Sequence, residues 1–380
     1  LAAALLGAGG LGAACAPAQT PLGFDAARLD SIVSYLRSEV DSGAFPGAVV
    51  GIGRHGRLAL LAAVGHYGIG DARPVTPETV YDLASLTKVV GLTTAVMLLV
   101  SEGKLELDAP VQRYVPAFRG EGKPRVTLRH LLTHASGLPP WRPLYTEATT
   151  RATAIALTDT TPLVTVPGRA TAYSDLGAIV LTQAVETVTG ERIDGFLARR
   201  LFEPLGMAAT RYLPPPDWRD RIAPTERSQD GTIIRGTVHD ENTWKLGGVS
   251  GHAGLFSTAP DLARFAAWLL DRWHGRGGVT TPVLPAELVR EFTRPQHVVP
   301  GSSRALGWDT PSENSSAGPR LSSSAFGHTG FTGTSIWLDP ARDLFVILLT
   351  NRVHPTRENT RIFGVRRRVA DLAADALVRP

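Results

Sequence analysis

The chain has one cysteine, Cys15, in 380 residues, which excludes an internal disulfide framework and a cluster of thiolates around a metal ion. It has no Gly-x-Ser-x-Gly run, so the nucleophile elbow of an α/β-hydrolase is missing. The zinc-protease pattern His-Glu-x-x-His is missing as well. His130 and His134 stand four apart, with His239-Asp240-Glu241 and His252 downstream, but position 131 is Leu; the pair reads as loop-ordering or packing residues. Strong charge of either sign is absent: the net charge is +4 and the arginines are scattered, so no nucleic-acid footprint is expected. The densest basic run, Arg366-Arg367-Arg368, falls in a C-terminal helical pattern and reads as a solvated helix face. What is plentiful is apolar: 43% of residues are hydrophobic, enough at this length for a large core.

Residues 1 to 14 carry no charge at all. The run is shorter than the about 20 residues a membrane-spanning helix needs, and it fits the apolar region of a secretory signal. Cys15 follows in LGAAC, similar to a lipoprotein processing box, although Gly12 stands where such boxes carry a larger apolar residue. The expectation is export to the bacterial envelope, with a possible lipid anchor at Cys15 or simple cleavage near Ala16 or Ala18.

Beyond a linker, positions 24 to 42 show helical spacing of Leu29, Ile32, Leu36 and Val40. Strand-like runs follow at 47–53 and 58–65, with His55-Gly56 as the turn between them. An apolar helix is expected over 85–102, ended by Gly103. Further helices are expected near 130–133, 176–189, 193–201 and 261–272. The C-terminal part turns strand-like at 306–310, 335–338 and 344–350 and closes with a helix over 360–378. Strands near both ends with helices between predict an α/β (α+β) fold, an antiparallel sheet flanked by helices and assembled from both termini. The expected organisation is a signal and linker over 1–22, a discontinuous sandwich domain from 23–84 and 258–380, and a mainly helical domain over 85–257.

Lysine is rare. Of 39 basic residues only four are Lys, at positions 88, 104, 123 and 245, and the other 35 are Arg. A lysine inside an apolar helix start is therefore informative, because Lys can give up its proton when desolvated and Arg cannot. Ser85 and Lys88 are one helical turn apart and so share a face. A serine hydroxyl is a weak nucleophile that needs such a neighbour, and Ser-x-x-Lys is a known catalytic spacing. A second element is Tyr173-Ser174-Asp175. A phenol relays protons if neighbouring cations lower its pKa; the plainer reading is a helix start with Asp175 in the first turn. A third is His328-Thr329-Gly330-Phe331-Thr332-Gly333, ahead of a C-terminal strand, which reads either as a Gly-rich hairpin or as a strand edge whose backbone N–H faces substrate.

Taken in order, Ser-x-x-Lys, Tyr-x-Asp and His-Thr-Gly resemble the three-motif signature of the serine β-lactamase and penicillin-binding-protein superfamily. The stretches YDLASLTKVV, LRHLLTHASGL, GHAGLFSTAPDLARF and GHTGFTGTSIWLDP look like its class C-like branch, and the likeness extends over about residues 25 to 375. That branch includes class C β-lactamases, D-alanyl-D-alanine carboxypeptidases, D-aminopeptidases and family VIII carboxylesterases. The resemblance implies that Ser85 attacks a carbonyl, Lys88 takes or stabilises its proton, and Tyr173 protonates the leaving group. It implies that the N–H groups of Ser85 and Phe331 hold the oxyanion, and that Asp175, His328, Thr329 and Gly330 line the substrate site. No metal or organic cofactor is implied. Asp175 stands where class C β-lactamases carry Asn and His328 where they carry Lys, which weakens attraction for an anionic β-lactam. An ester, a D-amino-acid amide, a peptidoglycan-derived peptide or a β-lactam all suit this chemistry. The competing reading is a non-catalytic envelope protein that binds cell-wall peptides in the same cleft.

Overall fold

The computed structural model describes residues 22–278 and 282–378; the apolar N-terminal run and Cys15 lie outside them. The described residues form eight strands: β1 Gly47–Arg54, β2 Arg57–Gly68, β3 Asp71–Pro74, β4 Tyr81–Asp82, β5 Phe256–Ser257, β6 Phe326–Thr329, β7 Ser335–Asp339 and β8 Leu344–Thr350. Six form one antiparallel sheet in the order β3-β2-β1-β8-β7-β6, while β4 and β5 pair separately. The large sheet is thus built from both ends of the chain, with the N-terminal β1 paired to the C-terminal β8 from Ala48↔Thr350 to Arg54↔Leu344.

Side chains of a strand alternate between faces, and the core follows that alternation. Ala48, Val50 and Ile52 of β1 and Leu344, Val346 and Leu348 of β8 join one apolar cluster with Ile32 and Leu36 of the first helix, Ala26–Asp41, and Val365 and Val369 of the last, Ile362–Asp375. Val49, Phe345, Ile347 and Leu349 point the other way, into a larger cluster that includes Leu262, Phe265 and Leu269 of the helix Ala259–Trp273. The same cluster runs on through Leu92, Leu131, Val180 and Phe196 of the helical region. The sheet is therefore covered on both faces, which is why β1 and β8 are buried along their whole length. Among the described residues no helix is long and apolar enough to cross a membrane.

Two local expectations are corrected. Residues 306–310 do not form a strand; Asp309 makes an isolated antiparallel bridge to Gly327. Gly307, at φ +82°, turns the chain there and sends Trp308 into the core. The basic run at 366–368 is not wholly solvated either. Arg367 and Arg368 are exposed, but Arg366 is buried and points inward.

Candidate active site

Ser85 sits where β4 gives way to a helix. Ala84 just before it has φ +46°, a left-handed conformation that costs a non-glycine residue about 1–2 kcal/mol. Asp82 Oδ1 accepts the Ala84 N–H at 2.9 Å, and Asp82 Oδ2 accepts the His239 N–H at 2.7 Å. The chain then enters a tight turn, with Thr87 N–H donating to Ala84 and Lys88 N–H to Ser85. Instead of the expected uninterrupted α-helix, Lys88–Thr93 is a wider π-turn, followed by α-helix over Thr94–Ser101. Such turns recur at functional sites. Apolar packing encloses the helix on every side, with Val89, Val90, Ala95, Val96 and Leu99 all buried.

This geometry puts Lys88 Nζ 3.0 Å from Ser85 Oγ. The ammonium also donates to the His252 carbonyl at 2.9 Å and lies 2.7 Å from Asp175 Oδ1. It stands over the Tyr173 ring, 4.9 Å from the centroid. The His252 ring is pinned by Asp240 at 2.9 Å, Thr243 at 2.9 Å and Ser250 at 2.8 Å, so the loop whose carbonyl holds Lys88 is itself fixed.

Tyr173 and Asp175 arrive at the start of the helix Asp175–Thr189. Ser174, not Tyr173, caps this helix: its Oγ accepts the Gly177 N–H at 3.2 Å and donates to Pro139 at 2.7 Å. His134 positions the segment. Its Nδ1 accepts the Ser174 N–H at 3.1 Å, its carbonyl accepts the Ala172 N–H at 2.8 Å, and its ring lies 4.5 Å from that of Tyr173. His130, by contrast, completes a capping box with Thr127. The two histidines four apart thus order the polypeptide, one at a helix start and one beneath the tyrosine.

The third wall is β6 and the turn after it. His328 and Thr329 end β6, and residues 330–334 turn the chain into β7, the strand expected after this stretch. That turn is fastened to the strand leading to Ser85. Thr332 Oγ1 donates to the Asp82 carbonyl at 2.7 Å and Thr334 Oγ1 to that of Leu83 at 2.9 Å. Gly330 is required here, because a Cβ would fall 2.1 Å from Thr334 Oγ1 and 2.3 Å from the Leu83 carbonyl oxygen. Arg366 holds the far side, donating to the carbonyls of Gly330 and Thr334. Phe331 at the tip is half-exposed, stacked on His239 and beneath the Arg352 guanidinium.

The three motifs of the sequence therefore meet: the Tyr173 ring lies 5.8 Å from that of His328, with Lys88 and Ser85 beside it. Thr329 follows His328 at the wall. Burial alone would push the Lys88 ammonium toward deprotonation, but Asp175 and Tyr173 outweigh it and raise the pKa above the usual lysine value. Burial raises the Tyr173 pKa, with Lys88 pulling against it, so neighbouring cations do not bring the phenol below its ordinary value. The Tyr173 hydroxyl is buried beside Lys88 and Ser85, without an aligned hydrogen bond among the described residues. His328 is driven down to about 3 by burial, by Arg304 and by Lys88, so it is neutral over the physiological range.

One neighbour went unnoticed in the sequence. The Arg304 guanidinium lies over the Tyr173 ring, 5.4 Å from its centroid. Nothing local distinguishes it from the other arginines; only the fold brings it to the cleft.

The beta-lactamase family model matches residues 32–371. An N-acetylmuramyl-L-alanine amidase of Bacillus subtilis is 33% identical, over 90% of this chain and 85% of that protein. A Salmonella enteritidis protein provisionally named D-alanyl-D-alanine carboxypeptidase is 30% identical, over 90% and 86%. Among solved structures, a hydrolase described as having promiscuous acyltransferase activity superposes with a TM-score of 0.73 at 23% identity, covering 91% of this chain and 99% of its own. The family model covers most of the chain, so this chain belongs to the beta-lactamase family.

Proposed function

We propose that the protein is a serine hydrolase that works through an acyl-enzyme on Ser85. The observation that carries this is the 3.0 Å contact between Ser85 Oγ and Lys88 Nζ inside a cleft closed by Tyr173 and the 328–331 segment. Ser85 Oγ bonds to the acyl carbon as its proton passes to the free-amine form of Lys88. The carbonyl oxygen becomes an oxyanion held by the N–H groups of Ser85 and Phe331. Lys88 returns the proton by way of Tyr173 to the leaving group as the acyl–leaving-group bond breaks. Water then attacks the acyl-enzyme, with the same pair moving its proton. The staples from Thr332 and Thr334 to residues 82–83 support the oxyanion role, since they fix Phe331 against the nucleophile turn.

Two relatives at 30% identity or more are named for cell-wall amide bonds. With the signal-like N-terminus, they favour an exported enzyme acting on peptidoglycan-derived amides. A neutral His328 and an acidic Asp175 disfavour efficient hydrolysis of β-lactams. The direct test follows a p-nitrophenyl short-chain ester with the wild-type protein and Ser85→Ala. The expected loss is about 10³-fold or more, together with a covalent penicillin adduct, seen by mass spectrometry, on the wild type only. Equal rates of nitrophenol release would overturn the assignment.

A further inference from the structure

Resting on that reading, we infer that His239 is a positioning residue: its ring is the plate that keeps the Phe331 N–H in register with the N–H of Ser85. The Phe331 N–H belongs to the peptide that joins this residue to Gly330. A trans peptide is planar, with its C=O and N–H pointing opposite ways. Arg366 donates to the Gly330 carbonyl, so that end of the plane is fixed from the last helix. The other end moves with the Cα and side chain of Phe331. This side chain is 48% exposed at the tip of the turn, so burial alone does not hold it. Two contacts do. Arg352 Nε donates to the Phe331 carbonyl at 2.8 Å. The His239 ring lies against the Phe331 ring, with centroids 5.7 Å apart and planes 25° from parallel, a separation at which offset stacking is favourable.

The plate is itself anchored to the turn that carries Ser85. The His239 backbone N–H donates to Asp82 Oδ2 at 2.7 Å, and Asp82 Oδ1 accepts the N–H of Ala84, the residue before Ser85, at 2.9 Å. One buried carboxylate therefore spans both sides of the oxyanion site. At the far edge of the ring, His239 Nε2 lies 3.0 Å from Glu226 Oε2. A carboxylate only accepts, so Nε2 donates. Glu226 is gripped in turn by Arg357, through its backbone N–H at 3.0 Å and its Nε at 2.7 Å. The His239 side chain is 4% exposed and its Nε2–H is committed, so it acts on the reaction through Phe331 and not on the substrate.

Replacing the reacting C=O by C=S reads this placement, because N–H donors aimed at a developing oxyanion bond sulfur poorly. The test measures kcat/KM for p-nitrophenyl acetate and for its thionoester analogue. His239→Ala should lower the oxoester value by about 10- to 100-fold, less than outright removal of an oxyanion donor, and the thionoester value far less. His239→Phe keeps a stacking face and should recover part of the oxoester preference. His239→Leu keeps bulk without a ring, should not recover it, and replaces His239→Ala if that protein does not fold. In a Phe331→Ala background the plate has nothing to hold, so His239→Ala should cost less than about threefold more. Equal losses on both esters, or losses that multiply in the double variant, would overturn the inference. A second arm needs no turnover. The Gly330 and Gly333 N–H groups close the turn on the Thr334 and Gly330 carbonyls. Their hydrogen exchange in Ser85→Ala protein should quicken by about 10-fold when His239→Ala is added. If wild-type protein cleaves neither ester and this exchange still quickens, the hydrolase reading fails and the plate stands. Unchanged exchange overturns the plate whatever the rates.

Discussion

At the scale of single residues, the site is governed by what surrounds Lys88. Asp175, Tyr173, Ser85 and the His252 carbonyl face its ammonium. Burial favours the free amine and Asp175 opposes it, and Asp175 with Tyr173 wins. In the proposed mechanism only the free amine can take the Ser85 proton, so kcat/KM should rise with pH through the neutral and alkaline range. Asp175→Asn removes the carboxylate that sustains the charge, so the ascent should shift to lower pH; a profile that does not move in that direction would show that Asp175 does not hold the lysine charged. The stability consequence has a definite sign. A lysine whose pKa is higher folded than unfolded contributes fully below its unfolded value and loses that contribution as pH climbs through the folded one. The Lys88–Asp175 pair should therefore stabilise the fold across the neutral range and fail only in strong alkali, which a melting series against pH would reveal. Ser85, Lys88, Tyr173 and His328 were legible in the sequence because each stands in a short motif whose spacing states a chemistry. Arg304 was not, because it is one of 35 arginines and its placement comes from a loop that the fold carries to the tyrosine. The state of His328 was hidden for a related reason: burial and two nearby cations set it, and neither is a local property of the chain.

At the scale of elements, the turn 330–334 links the sheet to the segment that carries Ser85. Thr332 and Thr334 fasten it to residues 82–83, and Arg366 reaches it from the last helix. The helix itself was legible from periodicity, but its basic run concealed one inward arginine, since a position between Val365 and Val369 can face either the core or the solvent edge. Burial lowers the Arg366 pKa to about 9, with Arg352 adding to the effect, and its charge is retained where backbone carbonyls receive it. Arg366→Met would leave the Gly330 and Thr334 carbonyls without these donors. The expected cost is roughly 2–4 kcal/mol of stability, with a fall in kcat as the turn loosens. Gly330→Ala acts from the other side, forcing a methyl against Thr334 and Leu83; overpacking of this kind costs about 1–3 kcal/mol. Both variants should lower kcat more than they raise KM for a small ester, because they displace the proposed oxyanion donor, the Phe331 N–H. Wild-type kcat in a well-folded Gly330→Ala protein would show that the turn does not position the reaction.

At the scale of the whole molecule, the joining of chain ends is the organising fact. Strand-like stretches at both ends foretold a shared sheet, and β1 against β8 is that junction. The first and last described segments also meet: Asp25 N–H donates to the Ala376 carbonyl and Val378 N–H to that of Gly23. What linear reading could not show is that, among the described residues, the helical middle shares its core with the sheet. Val49, Ile336, Phe345, Ile347 and Leu349 of the sheet belong to the same apolar cluster as Leu92, Leu131, Val180 and Phe196. Hydrophobic stabilisation scales with the area removed from water, at about 25 cal/mol per Å², and a segment deprived of the sheet would leave one side of that cluster in solvent. Residues 85–257 expressed alone should therefore lack a cooperative unfolding transition and fixed aromatic packing by near-ultraviolet circular dichroism, whereas the full chain should unfold in a single step by both backbone and aromatic signals. An isolated middle segment that melts cooperatively would mean that the candidate active-site cleft lies between two independently stable bodies rather than inside one core.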